Sequence, residues 1–151
     1  MRMRIDILTL FPDMFDSVLS SSILKRAAEA REGASGTSGG APVSYHLHDI
    51  RQYTTNKQGK VDQTPYGGGP GMVIQCQPVW DAVQAVTAMD VRQPVRVLMS
   101  PQGRRLTQTV VDELAKHDRL LILAGHYEGF DERVIEKLQP MVEVSIGDYV
   151  L

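Results

Sequence analysis

A single cysteine, Cys76, in 151 residues excludes an intrachain disulfide. The chain has no paired CxxC and no His/Cys cluster at zinc spacing, so a structural zinc site is excluded and no metal ligand set is expected. Long hydrophobic runs are missing too, and nothing approaches the ~20 apolar residues that a membrane helix needs. The basic start Met1-Arg2-Met3-Arg4 leads into the apolar run 5–11, which is too short and interrupted for a signal peptide. Charge of one sign is lacking as well. Sixteen Lys and Arg against 18 Asp and Glu leave a net charge of -2, with pI ≈ 6.1, so the chain does not coat nucleic acid by bulk electrostatics and any such contact must be local. These absences fit a reducing, cytoplasmic setting. Two nucleotide signatures are also absent. The position of a GxGxxG turn reads Leu10-Phe11-Pro12-Asp13, and no glycine segment supplies the Lys-Ser/Thr pair of a P-loop.

What is present is a chain long enough for one well-buried core, 42% hydrophobic and 23% charged, which predicts a single domain. Residues 5–11 read as a strand ending at Pro12. Phe15, Val18, Leu19, Ile23, Leu24 and Ala27 then recur at helical spacing and predict one helix. Residues 33–42 (GASGTSGGAP) carry too little apolar surface to offset their ordering and read as a flexible surface loop. Residues 43–50 read as a second strand. A helix beginning near Pro78 places Val79, Ala82, Val83 and Val86 on one face, with Trp80 and Cys76 taken as core. A short strand at 95–99 is expected to stop at Ser100-Pro101-Gln102-Gly103, and Thr107 to cap the next helix. Residues 120–124 form the most continuous apolar run, as in a central strand buried on both faces. Asp131 is the expected N-cap of a helix carrying Val134, Ile135 and Leu138, and 141–146 the last strand. Strands alternating with helices predict an α/β fold with a mainly parallel sheet covered by helices on both faces.

The densest signal is Pro65-Tyr66-Gly67-Gly68-Gly69-Pro70-Gly71-Met72, where four glycines and two prolines leave almost no side chain to pack. Such a loop suits close main-chain approach to a planar or anionic ligand, although a tight connection would use the same residues. Three further segments, SPQG, AGHYEG and IGDYVL, fall at carboxyl ends of predicted strands, where parallel sheets bind ligands. Glycine-bearing strand ends with little charge suit a flat, weakly charged group such as an adenosyl moiety, held by main-chain groups and apolar walls.

Taken in order, DIRQYTTNKQGKVDQTPYGGGPGMV, SPQGRRL, LAGHYEGFDERV and VSIGDYVL closely resemble the bacterial tRNA (guanine-37-N1)-methyltransferase family, of the SPOUT class. The resemblance covers the chain from Ile5 to Leu151. It implies a trefoil-knot domain that binds S-adenosylmethionine and methylates N1 of a guanine beside the tRNA anticodon, as a homodimer with a shared site. Leu98, Met99, Ser100, Pro101 and Gln102 would form the first cofactor loop, and Gly125, Tyr127, Glu128 and Gly129 the second. Ile146, Gly147, Asp148, Tyr149, Val150 and Leu151 would form the third. Tyr66, Gly67, Gly68, Gly69 and Pro70 would lie against the reacting guanine, with Arg51, Lys57 and Lys60 as phosphate contacts. The partners implied are tRNA and a second copy of the chain, with neither DNA nor a membrane.

The N1 of guanine carries a proton at neutral pH, so transfer needs a base and stabilisation of charge developing at O6. His126 has the convenient titration range, with a hydrogen-bonded structural role as the competing reading. Glu128 matches the family motif as a catalytic candidate and as a ligand of Mg2+. The family's expected base is an aspartate, associated with an arginine, after the IGDYVL motif. On that pattern residues 1–151 are expected to be the methyltransferase domain cut before the knot-completing helix and the carboxyl-terminal tRNA-binding domain. The competing expectation is a fragment that binds cofactor or RNA but transfers no methyl group. An α/β protein binding another nucleotide-like metabolite is the third reading. Against the family pattern, Gln58 stands where histidine is common and Gln63 where an acidic residue is common.

Overall fold

Alternation along the central strands sends successive side chains to two separate cores. In the computed structural model, which describes residues 2–32 and 38–149, the elements are β1 (Met3–Thr9), α1 (Asp13–Leu19), α2 (Ser22–Ala28), β2 (Arg31–Glu32), β3 (Ser38–Gly39), β4 (Val43–Asp49), a 3-10 turn (Ile50–Tyr53), β5 (Asp62–Gln63), β6 (Val73–Ile74), α3 (Cys76–Ala88), β7 (Val95–Arg105), α4 (Gln108–Leu114), β8 (Arg119–Leu123), α5 (Glu132–Lys137) and β9 (Val142–Ser145). The main sheet has five strands in the order β4-β1-β8-β7-β9, every neighbouring pair parallel. The expected α/β class, with a parallel sheet and β8 at its centre, is what forms.

Leu98, Leu121 and Leu123 face one core, shared with Val79, Ala82, Val83 and Val86 of α3 and with Val134 and Leu138 of α5. Val97 and Leu120, on the opposite face, meet Val110 of α4 and Val144 of β9. Trp80 and Cys76 are partly buried against the first core. The caps at Thr107 and Asp131 form as expected, their side chains accepting from the amides of Val110 and Arg133.

Three expectations are corrected. The helix anticipated after Pro12 is two short ones, broken at Ser20 and Ser21, with Ser22 at φ 50°. Serines compete with helical hydrogen bonding, and the Ser21 hydroxyl donates to the Ser17 carbonyl. Neither helix buries a residue, and Val18 and Ile23 are exposed. The loop assigned to 33–42 is partly paired, Arg31 opposite Gly39 and Glu32 opposite Ser38; its residues 33–37 lie outside the described residues. The strand expected to stop at Met99 continues to Arg105. It tolerates Pro101 because pairing with β9 is interrupted there: Met99 opposes Val144, and so does Arg104 after the interruption.

At the centre of the sheet lies a buried ionic hub. Asp6 on β1 accepts from Arg4, from Arg119 and from His48, and its side chain is fully buried. Burial would push its carboxyl up, but hydrogen bonds from His48, Arg4 and Arg119 and the charge of Arg119 hold it far below the usual carboxylate range. Arg119 also donates to the carbonyls of Val86, Thr87, Asp90 and Arg92, so one guanidinium terminates α3 and neutralises Asp6.

Candidate functional site

Three chain segments leave the sheet beside one another, at the interruption within β7 and after β8 and β9. In β7 the interruption at residues 100–103 lifts Ser100 and Pro101 out of the ladder, and the Gln102 amide donates to the Ser100 hydroxyl at 3.2 Å. The strand can return only with glycine at 103, because a Cβ there would lie 2.5 Å from the Val144 nitrogen. After β8, Tyr127 takes the left-handed conformation at φ 58°, unusual for a bulky residue, and Gly129 follows at φ 105°. After β9, the Ser145 hydroxyl donates to the Gly147 carbonyl at 2.7 Å and folds the chain so that Tyr149 covers Gly147.

Between these segments lies a cleft of about 420 Å³. Of the anticipated cofactor residues, Met99, Ser100, Pro101, Gly125, Tyr127, Glu128, Gly129, Ile146 and Tyr149 line it. Leu98 and Gln102 instead line an adjoining cleft of about 170 Å³, which shares Met99, Ser100, Pro101, Glu128 and Gly129 with the first. Gly147 and Asp148 line neither, and Val150 and Leu151 lie outside the described residues. Ala124, His126, Phe130, Val144 and Ser145 complete the wall and were not among the anticipated cofactor residues. Gly125 makes room for Phe130, since a Cβ on it would lie 2.9 Å from that ring, a contact that shows only in the structure.

The glycine-rich loop is fastened to the middle of these segments by main-chain hydrogen bonds. The Glu128 amide donates to the Met72 carbonyl at 3.0 Å, the Ile74 amide to the Gly129 carbonyl at 2.9 Å, and the Asp131 amide to the Ile74 carbonyl at 2.9 Å. Gly67, Gly68, Gly69 and Gly71 all have φ between 83° and 104°, so the loop needs its glycines for conformation. Gly71 also makes room for the Glu128 side chain, whose Cγ and Oε1 would lie 2.6 Å from a Cβ there. Tyr66 and residues 67–70 are exposed, as an approaching ligand requires.

Charged groups around the loop are held by partners within the chain. Asp131, nearly buried, accepts from Arg133 Nε at 3.0 Å, from Arg133 Nη2 at 2.6 Å and from Gln63 Nε2 at 3.1 Å. The Arg133 hydrogen bonds hold its carboxyl below the ordinary range against the effect of burial. Arg51 donates to the Leu10 carbonyl and lies over the Phe11 ring, whose edge contact with His126 brings the centroids to 4.9 Å. Lys57 and Lys60 are exposed. Among the described residues, no three His, Cys, Asp or Glu side chains come together as metal ligands, and no helix is long and apolar enough to cross a membrane.

Comparison with known proteins agrees with this geometry. A tRNA (guanine-N(1)-)-methyltransferase from Chloroflexus aurantiacus is 52% identical over 149 residues, covering 99% of this chain and 54% of that protein. One of the same name from Bacillus cereus is 50% identical over 149 residues, covering 99% of this chain and 57% of its own length. The chain thus spans about half the length of the curated relatives it matches. The crystal structure of tRNA (m1G37) methyltransferase from Aquifex aeolicus superposes with a TM-score of 0.81 at 33% identity, covering 100% of this chain and 62% of the other. The sequence profile described as tRNA (Guanine-1)-methyltransferase TrmD matches residues 3–151, and with the clefts and loop above it assigns the chain to that family.

Proposed function

We propose that the chain is the methyltransferase domain of an enzyme that transfers a methyl group from S-adenosylmethionine to N1 of guanine 37 in tRNA. The observation that carries this reading is the convergence of three strand-end segments on one cleft of about 420 Å³, with the glycine-rich loop bonded to the middle segment. The names of the relatives support the same reaction. A shared site in a homodimer, a tRNA-gripping domain and a cytoplasmic setting belong to the proposal as well. So does a general-base aspartate following the IGDYVL motif.

An adenosyl group fits the cleft. Gly125 and Gly129 present main chain, while Met99, Pro101, Phe130 and Ile146 supply apolar walls. Bound there, S-adenosylmethionine would supply an electrophilic methyl group. The chain's own part is to present the acceptor. Loop 65–72 offers main chain unshielded by side chains, which suits recognition of a base lifted out of its stack. Glu128 lines both clefts and packs against Gly71, so it is the carboxylate placed to hold or accept a proton between cleft and loop. The described residues do not by themselves make a Mg2+ cage, although Glu128 could be one of the one or two carboxylates that usually join phosphates in holding that ion.

Two measurements test the reading. Calorimetric titration should show saturable binding of S-adenosylhomocysteine, and no binding would overturn the cleft assignment. Labelled methyl should enter tRNA with guanine at position 37 and not its adenine-37 counterpart; label independent of that base would overturn the substrate.

A further inference from the structure

The geometry points to Arg133 as a positioning residue that locks the entrance of the glycine-rich loop, through Tyr66, onto the first turn of α5. The inference rests on the proposed function for its RNA readout but on geometry alone for the lock. Arg133 Nη2 donates to the Tyr66 hydroxyl at 2.8 Å, and its guanidinium carbon lies 4.9 Å from the centroid of the Tyr66 ring. One arginine thus makes both a polar and a stacking contact to a ring that is otherwise 74% exposed.

An exposed arginine is ordinarily too flexible for such a task. Arg133 is different because the same Nη2 that meets Tyr66, with its neighbour Nε, is also fixed. The Asp131 carboxylate takes Nε and Nη2 as a fork, its own side chain only 4% exposed, and also caps α5 through the Arg133 amide. Gln63, three residues before Tyr66, donates to the same carboxylate. The strand leading into the loop and the first residues of the loop are therefore both tied to Asp131, one directly and one through Arg133. An acid in place of Gln63 would set a second negative charge against Asp131, so the amide at this position belongs to the lock.

The loop needs such a tether. Gly67, Gly68 and Gly69 have positive φ and nothing within 4 Å of a would-be Cβ, so the loop's tip has no packing of its own to restrict it. Its far end is held by the main-chain bonds at Met72 and Ile74. Its near end is held by Tyr66. Releasing Tyr66 frees three glycines and makes the acceptor base pay for their ordering.

Tyr66→Phe, Arg133→Gln and Arg133→Lys, with the Tyr66→Phe/Arg133→Gln double variant, test this in the whole enzyme that carries this domain. Tyr66→Phe removes one oxygen from an exposed ring and leaves the fold intact. Each single variant should raise KM for tRNA roughly 3- to 10-fold, as expected for the net loss of one ordinary hydrogen bond at an exposed site. S-adenosylhomocysteine affinity should be unchanged. Lysine should not rescue, lacking the fork, and the double variant should be no worse than the poorer single. Amide exchange at residues 67–69 should accelerate in every variant. Unchanged exchange in Tyr66→Phe, or multiplying effects in the double variant, would overturn the lock. If the whole enzyme that carries this domain unaltered transfers no methyl group to tRNA, the proposed function fails while the exchange measurements still decide the lock.

Discussion

Arg119 and Asp6, 113 residues apart in sequence, meet at 2.9 Å with neither side chain exposed. The pair joins the centre of the sheet to the end of α3, since the same guanidinium donates to four carbonyls there. Arg119→Met should therefore cost about 3–5 kcal/mol, the range for removing one partner of a buried pair, because Asp6 keeps its charge and loses a neutralising neighbour. Chemical denaturation checks this. A loss below about 1 kcal/mol would mean that Arg4 and His48 suffice to neutralise Asp6.

Gly71→Ala separates two jobs of one glycine. At φ 92° an alanine is strained, and its Cβ meets the Glu128 side chain at 2.6 Å. Glu128 can swing aside, so the protein should fold with a lowered melting temperature. Methyl transfer to tRNA should fall about 100-fold if a displacement of roughly 1 Å matters as it does at other reacting centres. S-adenosylhomocysteine titration on the same sample should show binding retained.

Gly103→Ala should act in the opposite way. The obstacle is the backbone of Glu143 and Val144, which cannot move without breaking the pairing of β7 with β9. The expected loss is about 1–3 kcal/mol of stability, typical of overpacking. Cofactor binding should weaken with it, because Ser100 and Pro101 ride on that interruption. Wild-type affinity in a fully folded variant would contradict this placement.

Acid should destabilise the protein in two windows. Burial, then the positive charge of Arg4, lowers the pKa of His46 below its ordinary 6.5. The unfolded chain therefore binds the proton first, and stability declines as pH falls below about 6.5. Asp6 and Asp131 are held below the ordinary 3.8, so the stability they contribute is present above that value and is lost as pH falls through their lower folded values. Melting temperature against pH should show both declines. His46→Gln should remove the upper one alone.

The sequence made the sheet and most of the cleft legible because both are written in local patterns. Leu120, Leu121 and Leu123 announced a strand buried on both faces, and the glycine-bearing strand ends announced the cleft walls. The continuation of β7 past Met99 was hidden because Pro101 and Gly103 are strand breakers in isolation; only the partner strand shows that pairing resumes at Arg104. The break in the first helix was hidden by a helical apolar period running across Ser20, Ser21 and Ser22, whose hydroxyls favour leaving the helix. Long-range contacts such as Arg133 to Tyr66 have no signature in spacing. The two residues lie 67 positions apart and are joined by a side chain whose type fits a solvated helix face equally well.

Because the far end of the glycine-rich loop is latched by amide and carbonyl groups at Met72, Ile74, Glu128, Gly129 and Asp131, its attachment is written in atoms that every amino acid shares. The side chains of Met72 and Val73 can therefore drift without moving the loop. Proline, which lacks the donating hydrogen, is the residue that Ile74, Glu128 and Asp131 cannot become. Variation among related chains should accordingly be permissive in side-chain character at Met72 and Val73 and closed to proline at Ile74, Glu128 and Asp131, a pattern set by the peptide bond.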